Sequence, residues 1–407
     1  MALDLAGVKI IQTAAAAAGP MAGRLLADWG ADVICVEHTT RKAQKEQRRS
    51  NPQMDGRRII VSDIDYAALN HNRNKRGMTL NLATKDGQEI LNKLLAKSDV
   101  LLSNFRQREL EKFQLEYETL SRLNPGIICA HLTGFGKKGP DKDEPGYGPT
   151  AGDARSGFLH VIQAPGMEPP QMPMSFADYL AGLALAFGIM TALFIRERTG
   201  VGQEVDASLY KTMTWAISND IAGTLVTGRD RQAVSRKDRG TPQMTTYRTK
   251  DGRWLHLSTG RRDVFWPTFC QIIDREDLKN DPRYTSFEVK EADQLALFKI
   301  LEEIFLTRTL EEWKQRFKAG VYPWAPLQNL PEVINDPQAR INNFFVPLDH
   351  PTHGRIEVMT GPVNLSKTPE VMRMPAPESG QHTDEILREL GYTGADIGRY
   401  RQEGIIL

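Results

Sequence analysis

Between residues 8 and 132 short runs rich in Val and Ile alternate with longer amphipathic stretches. That alternation commits this part of the chain to a parallel, doubly wound α/β sheet with helices on its faces. Val8-Lys9-Ile10-Ile11 reads as a buried strand, residues 19–29 as a helix and 31–37 as a second strand, which together make a βαβ unit. A helix over 86–97 then leads to a strand over 99–103, and a helix over 115–123 to a strand over 126–132. Ligands of such sheets sit beyond the carboxyl ends of the strands. The loops to watch are therefore 13–23, Glu37-His38, Asn104-Phe105-Arg106 and 133–139.

Residues 137–173 are rich in Gly and Pro and read as loop lying over that side of the sheet. A run without charge follows over 179–195, headed by Phe176-Ala177-Asp178. The run is shorter than the ~20 apolar residues that span a bilayer. Its repeated Ala and Gly suit a helix buried in an α/β core, so no membrane is expected. Asp178 is placed either to cap this helix, its carboxylate held ionised by first-turn N–H groups and the helix dipole, or to act as a nucleophile. Polar residues from 229 mark a linker. Beyond it Thr246-Tyr247-Arg248 and Arg253-Trp254-Leu255-His256-Leu257 flank Asp251-Gly252 as a hairpin, with helices expected over 264–273 and 292–320. Four prolines between 323 and 337 suggest a second crossing, and residues 382–390 a last helix. The expected division is 1–228 for a large domain, 229–325 for a smaller α+β domain with its linker, and 326–407 for a return to the first.

With 52 Lys and Arg against 51 Asp and Glu, the net charge of +1 offers no field for nucleic acid. The 3 cysteines, Cys35, Cys129 and Cys270, are widely spaced, which argues against a disulfide framework and fits a reducing cytoplasm. Met1-Ala2-Leu3-Asp4-Leu5 does not read as a signal peptide. No metal-ligand spacing, Gly-x-Ser-x-Gly elbow or phosphate-binding loop appears, and the first βαβ loop lacks the Gly-x-Gly-x-x-Gly of a dinucleotide site. The basic cluster Asn72-Arg73-Asn74-Lys75-Arg76 is either a solvated loop or a phosphate contact.

Taken in order, a set of short motifs resembles the class III CoA-transferases, the formyl-CoA and carnitine CoA-transferase family. They are Leu5-Ala6-Gly7-Val8-Lys9, Ala18-Gly19-Pro20, Leu26-Ala27-Asp28-Trp29-Gly30-Ala31-Asp32, Asn74-Lys75-Arg76, Ser103-Asn104-Phe105-Arg106, Gly134-Phe135-Gly136, Pro145-Gly146-Tyr147, Ala177-Asp178-Tyr179-Leu180-Ala181-Gly182 and Thr199-Gly200-Val201-Gly202. The resemblance implies a Rossmann-like large domain built from both chain ends, a smaller domain between, and an interlocked dimer. The partner would be a second copy or a related subunit. It implies no tightly bound cofactor, with coenzyme A thioester as substrate and a free carboxylic acid as the other. Asp178 matches the family carboxylate that attacks the thioester, and His38, Leu80, Asn104, Phe105, Arg106, Lys112 and Tyr147 match positions that meet CoA.

Several positions depart from the family pattern. Cys35 replaces the usual Lys, His38 an Arg, Gln107-Arg108 a Pro-Gly, and Ala17 the Gln of the formyl enzyme, which argues against oxalate or formate. The family's glycine loop over the acyl site is matched by Ser258-Thr259-Gly260-Arg261-Arg262, whose two cations suit a dicarboxylic acid, succinyl-CoA or an aryl-succinate among them, or else face solvent or a partner. Two rival functions remain at this stage. An α-methylacyl-CoA racemase would need a His where Tyr147 stands, and a phenol is a poor base at neutral pH. The other rival is a non-catalytic subunit of a heteromeric transferase.

Overall fold

Apolar residues on successive strand positions point to opposite faces, and here both faces are covered by helices, so the inner positions of the central strands are apolar in runs. The computed structural model describes residues 5–40, 43, 64–231, 234–236, 241–285 and 290–407, without the side chains of Arg262 and Asp263. It divides into two compact units, Met1–Leu159 with Gln171–Arg229 and Arg340–Leu407, and His160–Pro170 with Asp230–Ala339.

In the first unit β1 (Lys9–Gln12), β2 (Asp32–Glu37), β3 (Arg76–Thr79), β4 (Val100–Ser103), β5 (Ile128–Thr133) and β6 (Glu204–Ser208) form one parallel sheet in the order β3-β2-β1-β4-β5-β6. This is the Rossmann-like order, and its direction reverses between β1 and β4. Ile10, Val33, Val100, Ile128 and Ala130 face the helices Ala18–Asp28 and Phe176–Thr199. Ile11, Ile34, Leu101 and Cys129 face the opposite layer, which includes the helix Lys85–Leu95 and the C-terminal residues Ile386, Leu387, Ile397 and Tyr400. The unit is thus closed by both ends of the chain. A Cβ on Gly182 would stand 2.6 Å from the Ala18 carbonyl oxygen, so only glycine lets the two helices lie so close.

The helix Phe176–Thr199 is 24 residues long, longer than its charge-free run, and by length and composition alone it is apolar enough to cross a membrane. One side, with Ala181, Leu185 and Ile189, belongs to the core. The other leaves Leu183, Phe187 and Phe194 exposed, and Trp215 of the helix Leu209–Ala216 is exposed as well.

The basic cluster turned out to be neither a solvated loop nor a phosphate contact. Arg73 and Lys75 are buried, at 0% and 1% exposure. Asp28 receives Arg24 at 2.9 Å, Arg73 at 2.9 Å and Asn74 at 2.7 Å. Lys75 Nζ donates to Gln12 Oε1, to the carbonyls of Pro20 and His71, and to Asn72 Oδ1. Asn74 also donates to the Val371 carbonyl and accepts from the N–H groups of Arg373 and Met374, tying the C-terminal segment to the first βαβ unit. The free edge of β3 is closed in the same way: the Gly77 carbonyl accepts the His382 N–H, and Thr383 Oγ1 accepts the Thr79 N–H.

In the second unit β7 (Thr246–Arg248), β8 (Trp254–Leu257) and β9 (Trp324–Pro326) form an antiparallel sheet over an aromatic core of Tyr247, Trp266, Phe269, Phe305, Trp313 and Phe317. The stretch expected as one helix over 292–320 is two, Glu291–Phe305 and Leu310–Lys318. Thr309 starts the second with a capping box to Glu312. The unit continues past 325 to Ala339, with Glu332 of the helix Leu330–Asn335 paired to Arg253 at 2.6 Å. A hairpin of β10 (Phe345–His350) and β11 (Gly354–Met359) opens the return to the first unit, which ends with the helices Thr383–Glu389 and Gly394–Gln402.

Candidate active site

The Phe176–Thr199 helix runs from the end of β5 back to the start of β6, so its first turn lies on the side of the sheet where the strands end. Asp178 sits in that turn but does not cap it. Ser175 holds the cap position, in a left-handed conformation with φ of 63°, and makes no side-chain cap bond. Among the described residues nothing donates a hydrogen bond to the Asp178 carboxylate. Burial pushes its pKa above the ordinary carboxylate value, and the charge of Asp153 pushes the same way. The expectation of a carboxylate steadied by first-turn donors is thereby corrected, since the group is desolvated and unpaired.

What stands against Asp178 is a π-helical turn, Gly148–Ala154, inside the stretch expected to be loop. A Cβ on Gly148 would lie 2.7 Å from Asp178 Oδ2, and one on Gly152 would lie 2.5 Å from the Ala177 side chain, so the turn and the helix meet glycine to helix. A Cβ on Gly134 would likewise stand 2.7 Å from the Gly146 Cα, which holds the Gly134-Phe135-Gly136 loop against the segment entering the turn. Tyr147, immediately before, is 67% exposed and leaves its ring at the surface beside this contact. Asp153, on the same turn, is 4% exposed and its Oδ1 has no partner among the described residues. Sequence reasoning missed Asp153 and Gly148, because Gly and Pro on either side disguised the turn.

At the reversal point of the sheet, Asn104 Oδ1 accepts the Ala15 N–H and Asn104 Nδ2 donates to the Ala15 carbonyl, both at 3.0 Å, which joins the loops after β1 and β4. Phe105 packs on Phe113 with ring centroids 5.7 Å apart. Arg106 does not reach freely into solvent: its guanidinium lies 3.3 Å from Glu109, which also accepts the Arg106 N–H. Lys112 is exposed, with Nζ 5.2 Å from the Phe113 centroid. His38 is exposed, its Nδ1 2.9 Å from the Thr40 hydroxyl. Leu80 has 0% exposure and belongs to the core, its N–H donating to the Glu37 carbonyl. Gly260 and Arg261 belong to the second unit, where the Arg261 N–H donates to Thr259 Oγ1 at 3.0 Å and Arg261 takes the cap position of the helix Arg262–Ile272. The Arg262 side chain lies outside the described residues.

Asp178 is thus a half-buried carboxylate with no donor among the described residues, on the side of a parallel sheet where ligands of such sheets sit. The comparisons with known proteins show the family. The model of CoA-transferase family III matches residues 5–383. An (R)-2-hydroxy-4-methylpentanoate CoA-transferase of Clostridioides difficile is 32% identical, covering 99% of each chain. The β subunit of a succinyl-CoA–L-malate CoA-transferase of Chloroflexus aurantiacus is also 32% identical, over 99% of this chain and 98% of that one. A CaiB/BaiF family protein from Brucella suis superposes with a TM-score of 0.81 at 26% identity, covering 96% of this chain and 100% of its own. With motif order, sheet order and a whole-chain match in agreement, the chain belongs to CoA-transferase family III and is an enzyme of that class.

Proposed function

We propose that this enzyme moves CoA between acids through Asp178. The carboxylate attacks the donor thioester carbonyl, the C–S bond breaks, and the sulfur leaves with the bonding pair as CoA thiolate, giving an acyl-aspartyl anhydride. The thiolate then attacks the aspartyl carbonyl and expels the donor acid as its carboxylate, so that CoA rests on Asp178 as a thioester. The acceptor carboxylate attacks that thioester, its C–S bond breaks to release thiolate and leave an anhydride of the acceptor with Asp178, and the thiolate then attacks the acceptor carbonyl and expels Asp178 as its carboxylate. No step consumes a proton or ATP. The observation that carries this reading is the partly desolvated Asp178 carboxylate, which has no hydrogen-bond donor among the described residues and lies against the backbone of Gly148.

We assign succinyl-CoA as donor and a bulkier carboxylic acid as acceptor. The name of the Chloroflexus relative supports succinyl-CoA. Both relatives are named for 2-hydroxy acids, which favours that acceptor class over an aryl-succinate. Exchange assays with succinyl-CoA and butyryl-CoA against succinate, an aryl-succinate and 2-hydroxy acids test the assignment. Faster exchange with succinyl-CoA and a 2-hydroxy acid is the expected result, and equal rates with both donors would overturn the choice of donor. The apolar stripe of Leu183, Phe187 and Phe194 is the surface a second copy or a related subunit would cover, and reduced, buried thiols at Cys35, Cys129 and Cys270 suit the cytoplasm.

CoA is assigned to the crevice between the loops after β1 and β4. Arg106→Ala is expected to raise the KM for acyl-CoA roughly 10- to 100-fold, the equivalent of about 1.5–3 kcal/mol for a charge-assisted contact. Because Glu109 competes for the same guanidinium, Glu109→Ala is expected to bind CoA at least as tightly as wild type. Calorimetry with free CoA reads both, and an unchanged affinity in Arg106→Ala would move the phosphate site elsewhere.

A further inference from the structure

Asp153 shares its turn with Gly148, whose backbone presses on the Asp178 carboxylate, and its neighbour Gly152 packs on Ala177, the neighbour of Asp178. Asp153 is 4% exposed and its Oδ1 has no hydrogen-bond partner among the described residues. An unpaired buried carboxylate opposes folding, so Asp153 is not what holds the turn together. The turn is π-helical, a form that is rare and frequent at functional sites.

Resting on the reading of Asp178 as nucleophile, we propose that Asp153 is a positioning residue for the transfer reaction, a buried unpaired carboxylate whose charge acts on Asp178 across the contact of turn and helix. Its field and burial work in one direction on Asp178, and burial raises Asp153 itself. A carboxylate of higher basicity is the better nucleophile, by the relation that governs thiolates.

Charged groups on the other packed elements are engaged elsewhere. Arg24 and Asp28 of the helix Ala18–Asp28 pair with each other, and Arg155 at the end of the turn pairs with Asp141. On the helix Leu209–Ala216 the Tyr210 ring lies under Arg155, and Lys211 acts on Asp206. The Tyr179 hydroxyl meets His71 Nε2.

The test is kcat/KM against pH for wild type, Asp153→Asn and Asp178→Asn, with thermal unfolding of each. Asp153→Asn keeps the shape and removes the charge. Its acid limb is expected to move to lower pH and its plateau to fall, while hydroxylamine still traps the acyl group on Asp178. The carboxyl removed has a raised pKa, so its stabilising contribution is present below its unfolded pKa and lost as pH rises through the folded one. At pH 7 the variant is therefore expected to melt no lower than wild type, and a lower melting temperature would show that the carboxylate has a structural bond and overturn the proposal. An acid limb superimposable on wild type, with Asp178→Asn inactive, overturns the role of Asp153 and leaves the nucleophile standing. Exchange by Asp178→Asn overturns the reading beneath it.

Discussion

Replacing Asp178 with Ala is expected to lower CoA exchange by on the order of 10⁴-fold or more, the scale on which a covalent nucleophile is lost. The protein should stay folded. Asp178 caps nothing, receives no hydrogen bond from the described residues and is charged against its own burial, so stability should change by less than about 1 kcal/mol. Asp178→Asn should fail equally, since an amide of the same shape is a poor nucleophile. In wild type the raised pKa has a direct sign: as pH falls through it the carboxylate takes a proton, so the rate drops on the acid side. Incubation with acyl-CoA and hydroxylamine, followed by peptide mass spectrometry, should find the modification on Asp178. Appreciable turnover by Asp178→Ala, freed of wild-type contamination, would sink the mechanism.

The largest effect on stability is expected at Asp28, far from any chemistry. Asp28→Ala strands Arg24 and Arg73, at 3% and 0% exposure, without the carboxylate both bond to, and breaking a buried ion pair from one side costs about 3–5 kcal/mol. It also removes the acceptor of one Asn74 amide hydrogen, loosening the residue that holds Arg373 and Met374. Urea unfolding should show a lower midpoint with an unchanged m-value. Asp28→Ala combined with Arg73→Ala should cost less than the two changes summed, because the second relieves the charge the first leaves bare. A midpoint within error of wild type would mean that water or another group pairs these guanidiniums.

The strands that a reader of the sequence finds are those buried on both faces. β1, β2, β4 and β5 announce themselves as apolar runs, whereas β3 begins with Arg76-Gly77 and β6 reads Glu204-Val205-Asp206-Ala207-Ser208, since each lies at an edge of the sheet. Edge strands carry polar residues because only one neighbour strand covers them. Arg73 and Lys75 could be read as solvated or as phosphate contacts because a charge run carries no mark of its partner, and Asp28, which pairs with Arg73, lies 45 residues earlier. Asp178 stood out in the sequence as the candidate nucleophile, but its electrostatics did not. The sequence places the residue at a helix start, and only the fold sets Gly148 and Asp153 against it. The CoA positions came from family resemblance, and what local chemistry could not tell is that Leu80 is buried and that Arg106 is already held by Glu109.

The closure of β3 by the C-terminal segment also sets a clock on synthesis. Thr79 and Thr383, which meet at that edge, are 304 residues apart in the chain. At about 5–20 residues per second, a ribosome needs roughly 15–60 s to travel between them. For that interval the emerging sheet has an unpaired strand edge, open to pairing with any neighbouring nascent chain. Chaperone occupancy on polysomes, more than the stability of the finished enzyme, should then govern how much of it reaches the folded state.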